Sequence, residues 1–450
     1  MKVAFFSPLN PQRSGVSDYS EELLPELEKH LEIDLYIGDY TPTNEDISRS
    51  FPVFPISSFD DSLYQEYDEV IYHIGNNTNF HMEIYLTALK YPGLVVLHDY
   101  SIHHLIANLT VAKGDWGSYI QEMSYNYGKE GEEFARLASQ GRMKVMWETD
   151  QTIKYPANKR LIDHSKGIIV HSNLALEGVI HNKKDAFVQY APLFTSDLKI
   201  VSEVEKASLR NKYHISQDTL VFASFGFVSK AKRIQSILKS LKKLLLEGLT
   251  NFLYIIVGEE ETGVRDIENW ISEYGLKNKC RFTGFVTLEE FKEYIMLSDV
   301  CINLRHPTQG ETSASLLRIL GYGKPAIVSK VGTFSEFPDE FALKVNSANE
   351  QVEIEQLYSQ IRAFIINPDL SSQMGEKAYE YVKNNHTVEI TANSYLNAIS
   401  KIRNHSAFSN EVRFYYDYVD HIVEETQLIL RDSPNLQKDL AGHLAAFFRK

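Results

Sequence analysis

A chain of 450 residues exceeds what one hydrophobic core comfortably holds, so two domains are the first expectation. Its formal charge of −14 excludes the concentrated basic face that a nucleic-acid backbone requires. No run approaches the ~20 apolar residues of a membrane span, and the two cysteines, Cys280 and Cys301, sit in strand-like apolar runs that read as buried free thiols in a reducing compartment.

Taken in chain order, KVAFFSP (2–8) reads as a first strand, since its apolar run is far too short for a secretory signal; a cytoplasmic protein is expected. The loop PQRSGVSDYS (11–20) follows. Gly15 permits a backbone conformation and a close ligand approach that a side chain would forbid, and the next helix offers free N–H groups to an anion. That helix is expected over Asp18–His30, with Tyr19, Leu23, Leu24 and Leu27 on one stripe. Asp18 reads first as its N-cap, with Glu21 closing a capping box, and second as a ligand contact.

Apolar runs at 33–38, 69–75, 93–99, 167–172 and 186–191 alternate with helical patterns, the signature of a parallel sheet with crossover helices. His98 and Asp99 end one of these strands, where ligands bind in this architecture. His103 and His104 lie close by, but their spacing matches no zinc pattern, so they read as ordinary helix residues and no metal site is assigned. His73, before Gly75-Asn76-Asn77, is a weaker version of the same signal. The stretch Ser101–Asp163 looks helical throughout, an insertion. Polar, aperiodic sequence at Phe194–Ser208 reads as an interdomain linker.

A second series of strands begins near Thr219, with runs at 252–259, 280–286, 300–305 and 325–329; the whole is two consecutive doubly wound α/β units. After its first strand, Lys230, Lys232 and Arg233 crowd the positive end of a helix whose face is Ile234, Ile237, Leu238, Leu241 and Leu245. A local rule broken without structural gain marks a site, and a diphosphate would supply the missing negative charge. Further on, RHPTQGETSASLLR (305–318) ends a strand, turns, and opens a helix with small hydroxyl residues. Thr312, Ser313 and Ser315 with free N–H groups make an anion and sugar-hydroxyl cradle, and Glu311 can accept two sugar hydroxyls. Beyond Asn385 the chain reads as helical, and Phe408–Lys450 adds amphipathic material suited to packing on the body, a homodimer surface or peripheral membrane contact.

These four sites, in this order, resemble the GT-B glycosyltransferases, specifically the retaining family 4 of sugar transferases, over roughly residues 1–400. The likeness is strongest from Ser224 to Pro338, including RFTGFV, LSDVCINL and GYGKPAIVS. It implies two Rossmann-like doubly wound domains facing across a cleft: residues 1–198 on the acceptor side with the 101–163 insertion, 199–385 on the donor side, and 386–450 as helices crossing back. It places Gly15 near the donor phosphates, His98 near the donor sugar and Lys232 on the diphosphate, with Arg233 beside it and Asp18 and Asp99 on the acceptor side. The sequence also departs from the family. Phe227 stands where an arginine is usual; of the paired glutamates, Gly310 and Arg318 occupy the positions, with Glu311 one residue late and Arg318 at the ribose.

The resemblance implies a metal-independent, retaining transfer of a sugar from a nucleotide-diphosphate donor to a carbohydrate or lipid-linked acceptor in cell-surface polysaccharide or glycoconjugate synthesis, with His98 and Glu311 at the reacting centre. The protein is expected in the cytoplasm or at the inner membrane face. Two rivals use the same scaffold. A sugar-nucleotide epimerase needs no acceptor, and a non-catalytic partner subunit would bind donor without turnover.

Overall fold

The computed structural model describes residues 1–149, 151–183, 186–260 and 267–404. The amphipathic tail Phe408–Lys450 lies outside them. Met1–Ser400 pack into one compact unit.

The unit holds two parallel sheets. The first comprises β1 (Lys2–Phe6), β2 (Glu32–Ile37), β3 (Val53–Pro55), β4 (Glu69–Ile74), β5 (Leu94–Leu97), β6 (Gly167–Val170) and β7 (Val188–Tyr190), in the order β3-β2-β1-β4-β5-β6-β7. The second comprises β8 (Leu220–Phe225), β9 (Phe252–Val257), β10 (Cys280–Phe282), β11 (Val300–Asn303), β12 (Ala326–Ser329) and β13 (Ala342–Val345), in the order β10-β9-β8-β11-β12-β13. Both orders reverse beside their first strand, between β1 and β4 and between β8 and β11, which opens a crevice at the carboxyl ends there. The sequence dictates this build. EVIYHI and LVFASF are apolar with little alternation and are buried at every position, as strands covered by helices on both faces must be. The thiols of Cys280 and Cys301 are both free and buried.

Four expectations change. The first helix spans Gly15–Glu28, and its cap is Ser14, whose hydroxyl accepts from the Val16 N–H; Asp18 is inside the first turn and caps nothing. Glu21 closes no box, because Asn10 and Asn44 occupy its carboxylate at 2.7 and 2.8 Å. The 101–163 insertion is not helical throughout. Its helices, His103–Leu109, Trp116–Ser139 and Lys159–Asp163, are separated by turns, and the longest breaks at Gly128 with φ 61°. Strands β3 and β13 were not expected; both are short and lie at sheet edges.

The linker is irregular only up to Ser202, where a capping box opens the helix Glu203–Lys212. After the second sheet, the helix Val388–Asn404 returns to the first domain. Thr391 donates to the Pro192 carbonyl at 2.7 Å, Asn397 to Gln189 at 3.1 Å, and the Tyr395 and Tyr19 hydroxyls meet at 2.9 Å.

Candidate active site

On the second domain, β8 runs into Gly226, at φ 91°, and then a single 3-10 turn at Lys230–Lys232. Arg233 follows at φ 56°, in the left-handed region, before the helix Ile234–Leu246. That reversal sends the two neighbouring cations in different directions. Lys232 turns back under the sheet end, where its Nζ donates to the Phe225 carbonyl at 2.8 Å and reaches Asn303 Oδ1 at 3.4 Å. Burial pushes its pKa down to about 7; Arg305 acts in the same direction and Glu311 against it. Arg233 instead pairs at 2.9 Å with Glu353, a fully buried carboxylate on the helix Glu350–Ile366.

Asn303, the last residue of β11, joins Lys232 to the next element, since its amide donates to Ser313 Oγ at 3.3 Å. Ser313 caps the helix Ala314–Gly321 by accepting from the Leu316 N–H, and its hydroxyl lies 3.1 Å from that of Ser315. Lys232, Ser313 and Ser315 therefore converge, with half-buried Thr312 one residue ahead. Glu311 Oε1 pairs with Arg305 at 2.9 Å, while Oε2 accepts from Thr308 Oγ1 and the Gln309 N–H, both at 2.7 Å. Arg318 points away to the linker, onto Asp197, which also holds Lys292 at 3.0 Å. Phe227 is 65% exposed.

On the first domain, Gly15 is exposed at the helix start, and a Cβ there would meet nothing within 4 Å. Asp18 is exposed and accepts from Asn10 at 3.1 Å. Asp99 accepts from the Asn76 N–H at 2.7 Å. Burial lifts its pKa to about 6, against that hydrogen bond; Glu311 adds to the rise and Arg305 opposes it, so both act across the domain boundary. His98 is half-buried, and its Nε2 lies 2.9 Å from Nδ1 of His73. Burial holds its pKa well below the usual histidine range, reinforced by His171, His73 and His81. The Tyr19 ring meets that of His98 edge-on at 4.9 Å, and His171 lies at the same distance. His103 is a buried helix residue as expected, bonded to the Tyr155 carbonyl and the Tyr119 hydroxyl, both at 2.7 Å.

The two halves meet directly. The Ser101 N–H donates to the Gln309 carbonyl at 3.0 Å, and Thr152 to that of Thr308 at 3.4 Å. Gly310 sits at φ 77°, and a Cβ there would come within 2.8 Å of Tyr100 and 3.0 Å of Ile153, so a glutamate at this position would collide with the first domain. Glu336 reaches across to the start of the helix Asn173–Asn182, accepting the Asn173 and Leu174 N–H groups at 2.9 Å each. A separate cavity of about 400 Å³ opens on the first domain, lined among others by Gln12, Asp39, Tyr40, Asn79 and Glu83.

Sequence reasoning overlooked Asn303, His171 and Glu336. Only Asn303 left a signal, as a polar residue inside the apolar run VCINL. Among the described residues no group of three or more His, Cys, Asp or Glu is placed to hold a metal ion, and no helix is long and apolar enough to cross a membrane.

Two doubly wound parallel sheets opposed at their carboxyl ends, with a closing helix that returns to the first, define the GT-B fold of glycosyltransferases. Residues 205–381, most of the second domain, match the family model described as Glycosyl transferases group 1. The chain is similar to the sucrose-phosphate synthase of Thermosynechococcus elongatus, at 15% identity and a TM-score of 0.62 over 90% of this chain and 100% of that one. It is likewise similar to Anabaena Alr3699/HepE, solved with UDP and glucose, at 14% identity and a TM-score of 0.61 over 89% and 100% of the two chains. WaaG, a glycosyltransferase involved in lipopolysaccharide biosynthesis, aligns at 14% identity and a TM-score of 0.54 over 88% and 98%. These likenesses carry the fold. No curated protein sequence matches the chain.

Proposed function

We propose that the protein moves a sugar from a nucleotide-diphosphate donor to a carbohydrate or lipid-linked acceptor, with retention of configuration and without a divalent metal. One observation carries this reading. Among the described residues, the buried Lys232 amine has only neutral oxygens within hydrogen-bonding reach, and it faces the hydroxyl-rich helix start at Ser313. Burying a cation without a counter-charge is costly, and a diphosphate would supply the charge.

In this reading Lys232 and the Thr312, Ser313 and Ser315 hydroxyls and N–H groups hold the phosphates, while Arg305, steadied by Glu311, adds charge beside them. Gly15 leaves room for the donor at the facing helix start. His98 addresses the sugar, and Asp99 and Asp18 stand on the acceptor side. The bond from the anomeric carbon to the phosphate oxygen breaks, the acceptor oxygen bonds on the same face, and its proton passes to the departing phosphate. Charge on that phosphate is met by Lys232, Arg305 and the helix start, each such preorganised donor being worth about 10²–10³ in rate. The contacts of Gln309 and Gly310 with the first domain would keep water from the reacting centre. Cell-surface polysaccharide or glycoconjugate synthesis fits such an acceptor.

HepE has been solved with UDP and with UDP-glucose, so uridine donors are the first to try. Incubation with UDP-, GDP-, ADP- and dTDP-sugars plus acceptor glycans, in the presence of a chelator, should yield a glycoside whose anomeric configuration by NMR matches the donor. An inverted product would sink retention, and a C2- or C4-epimerised donor without glycoside would sink transfer itself.

A further inference from the structure

The strand pair β4–β5 places a second histidine directly behind the one that faces the cleft. His73, on β4, has no solvent exposure, and its Nδ1 lies 2.9 Å from Nε2 of His98. The rings stack at 5.1 Å, and His73 is wedged between Phe5 at 4.5 Å and Tyr395 at 6.1 Å. Its Nε2 is buried and has no hydrogen-bond partner among the described residues. With Nε2 of His98 occupied by His73, only Nδ1 of His98 remains to address a ligand.

We infer that His73 is a positioning residue that fixes the ring of His98 and its tautomer, so that His98 meets the donor sugar as a neutral hydrogen-bond donor through Nδ1–H. This rests on the transferase reading for the identity of the ligand, but not for the pairing of the two rings. The proton count between them follows from which buried atom is left orphaned. If His98 donated through Nε2–H, His73 would have to keep its own proton on Nε2, a buried N–H with no acceptor, and such orphans are rare in folded proteins. In the other arrangement His73 donates through Nδ1–H, its bare Nε2 sits among aromatic rings, and His98, being uncharged, carries its one proton on Nδ1. Burial keeps both rings neutral, His73 being held well below the usual range with His171 and His81 adding to it. The groups facing the pair are Tyr19, His171, His81 and Tyr395; among the described residues no carboxylate is bonded to either ring. Nothing there favours the imidazolium. A hydrogen-bond donor, not a general base, is what a front-face transfer needs at a sugar hydroxyl or ring oxygen.

The test separates positioning from packing by two substitutions whose effects on activity and on stability run in opposite order. His73→Asn places an amide nitrogen near the original Nδ1 and can still donate to His98, whereas His73→Phe fills the volume but donates nothing. Positioning predicts that His73→Asn keeps kcat within about fivefold of wild type, while His73→Phe loses about 10- to 100-fold with donor KM nearly unchanged. A packing role predicts the reverse, with the phenylalanine variant at least as active as the asparagine one, and that result would overturn the inference. Independently of any turnover, ¹⁵N NMR of the ligand-free protein should find His98 neutral between pH 6 and 8 and protonated on Nδ1, a signature that broadens into mixed tautomers in His73→Phe. A wild-type His98 protonated on Nε2, or one titrating in that range, overturns the inference too. If wild type turns over no nucleotide sugar, the transferase reading fails while the NMR result still scores the histidine pair.

Discussion

The two domains share one strand order and present their site residues from the same place, yet they are furnished oppositely. At the ends of β4 and β5 in the first sheet stand two stacked histidines, held neutral by burial among aromatic rings. At the end of β11 in the second stand Arg305 and a capped, hydroxyl-rich helix start, with Lys232 beside them. The fold supplies the crevice and the side chains decide what each wall offers: neutral hydrogen-bonding rings on one side, cations and hydroxyls on the other. Each wall can be altered while the other is left alone.

The largest effect is expected on the anion wall. Lys232→Ala should weaken binding of a nucleoside diphosphate by about 100-fold in titration calorimetry, the worth of one desolvated charged hydrogen bond, while leaving ¹⁵N signals of His98 in place. An unchanged affinity would remove Lys232 from the phosphate site. Next comes stability. Arg233→Gln strands the buried Glu353 carboxylate and should cost about 2–3 kcal/mol in denaturant unfolding, yet shift diphosphate affinity by less than about threefold once folded. A large affinity loss instead would return Arg233 to the donor site.

The pH dependence is intermediate. With the Lys232 amine near pKa 7 when the site is empty, and raised once an anion binds, affinity should be flat below pH 7. It should then fall by up to about tenfold per pH unit above it, until the bound-state pKa is passed. Affinity that rises with pH would contradict this sign. The smallest effect is expected at the domain contact. Glu336→Gln weakens an exposed cap on the Asn173–Asn182 helix and should raise donor KM about twofold, with kcat little changed.

Much of this arrangement is legible in the sequence because buried parallel strands are written as continuous apolar runs. What stayed hidden depends on geometry that spacing does not carry. Lys232 and Arg233 look equivalent as adjacent cations, and only the left-handed backbone at Arg233 sends one into the site and the other to Glu353. Gly310 was expected to be a lost glutamate. Its space is taken by Tyr100 and Ile153, residues of the first domain that are distant in the sequence. His73 gave a weak signal because its partner lies 25 residues away, just past the neighbouring strand, where the register sets Val96 beside His73 and His98 two residues further on. Ser14 was passed over as cap for Asp18, since both are preferred cap residues and a glycine at the first helical position argues against starting there. Strands β3 and β13 are short edge strands, and the proline ending the first of them masks its pattern.

The most direct measurement compares each nucleoside diphosphate with its own monophosphate by calorimetry. If a β-phosphate sits between Lys232 and the Ser313–Ser315 helix start, then at least one of UDP, GDP, ADP and dTDP should bind at least about tenfold more tightly than the corresponding monophosphate, and that margin should vanish in Lys232→Ala. Equal affinity of diphosphate and monophosphate, or a margin that survives the substitution, would contradict the account.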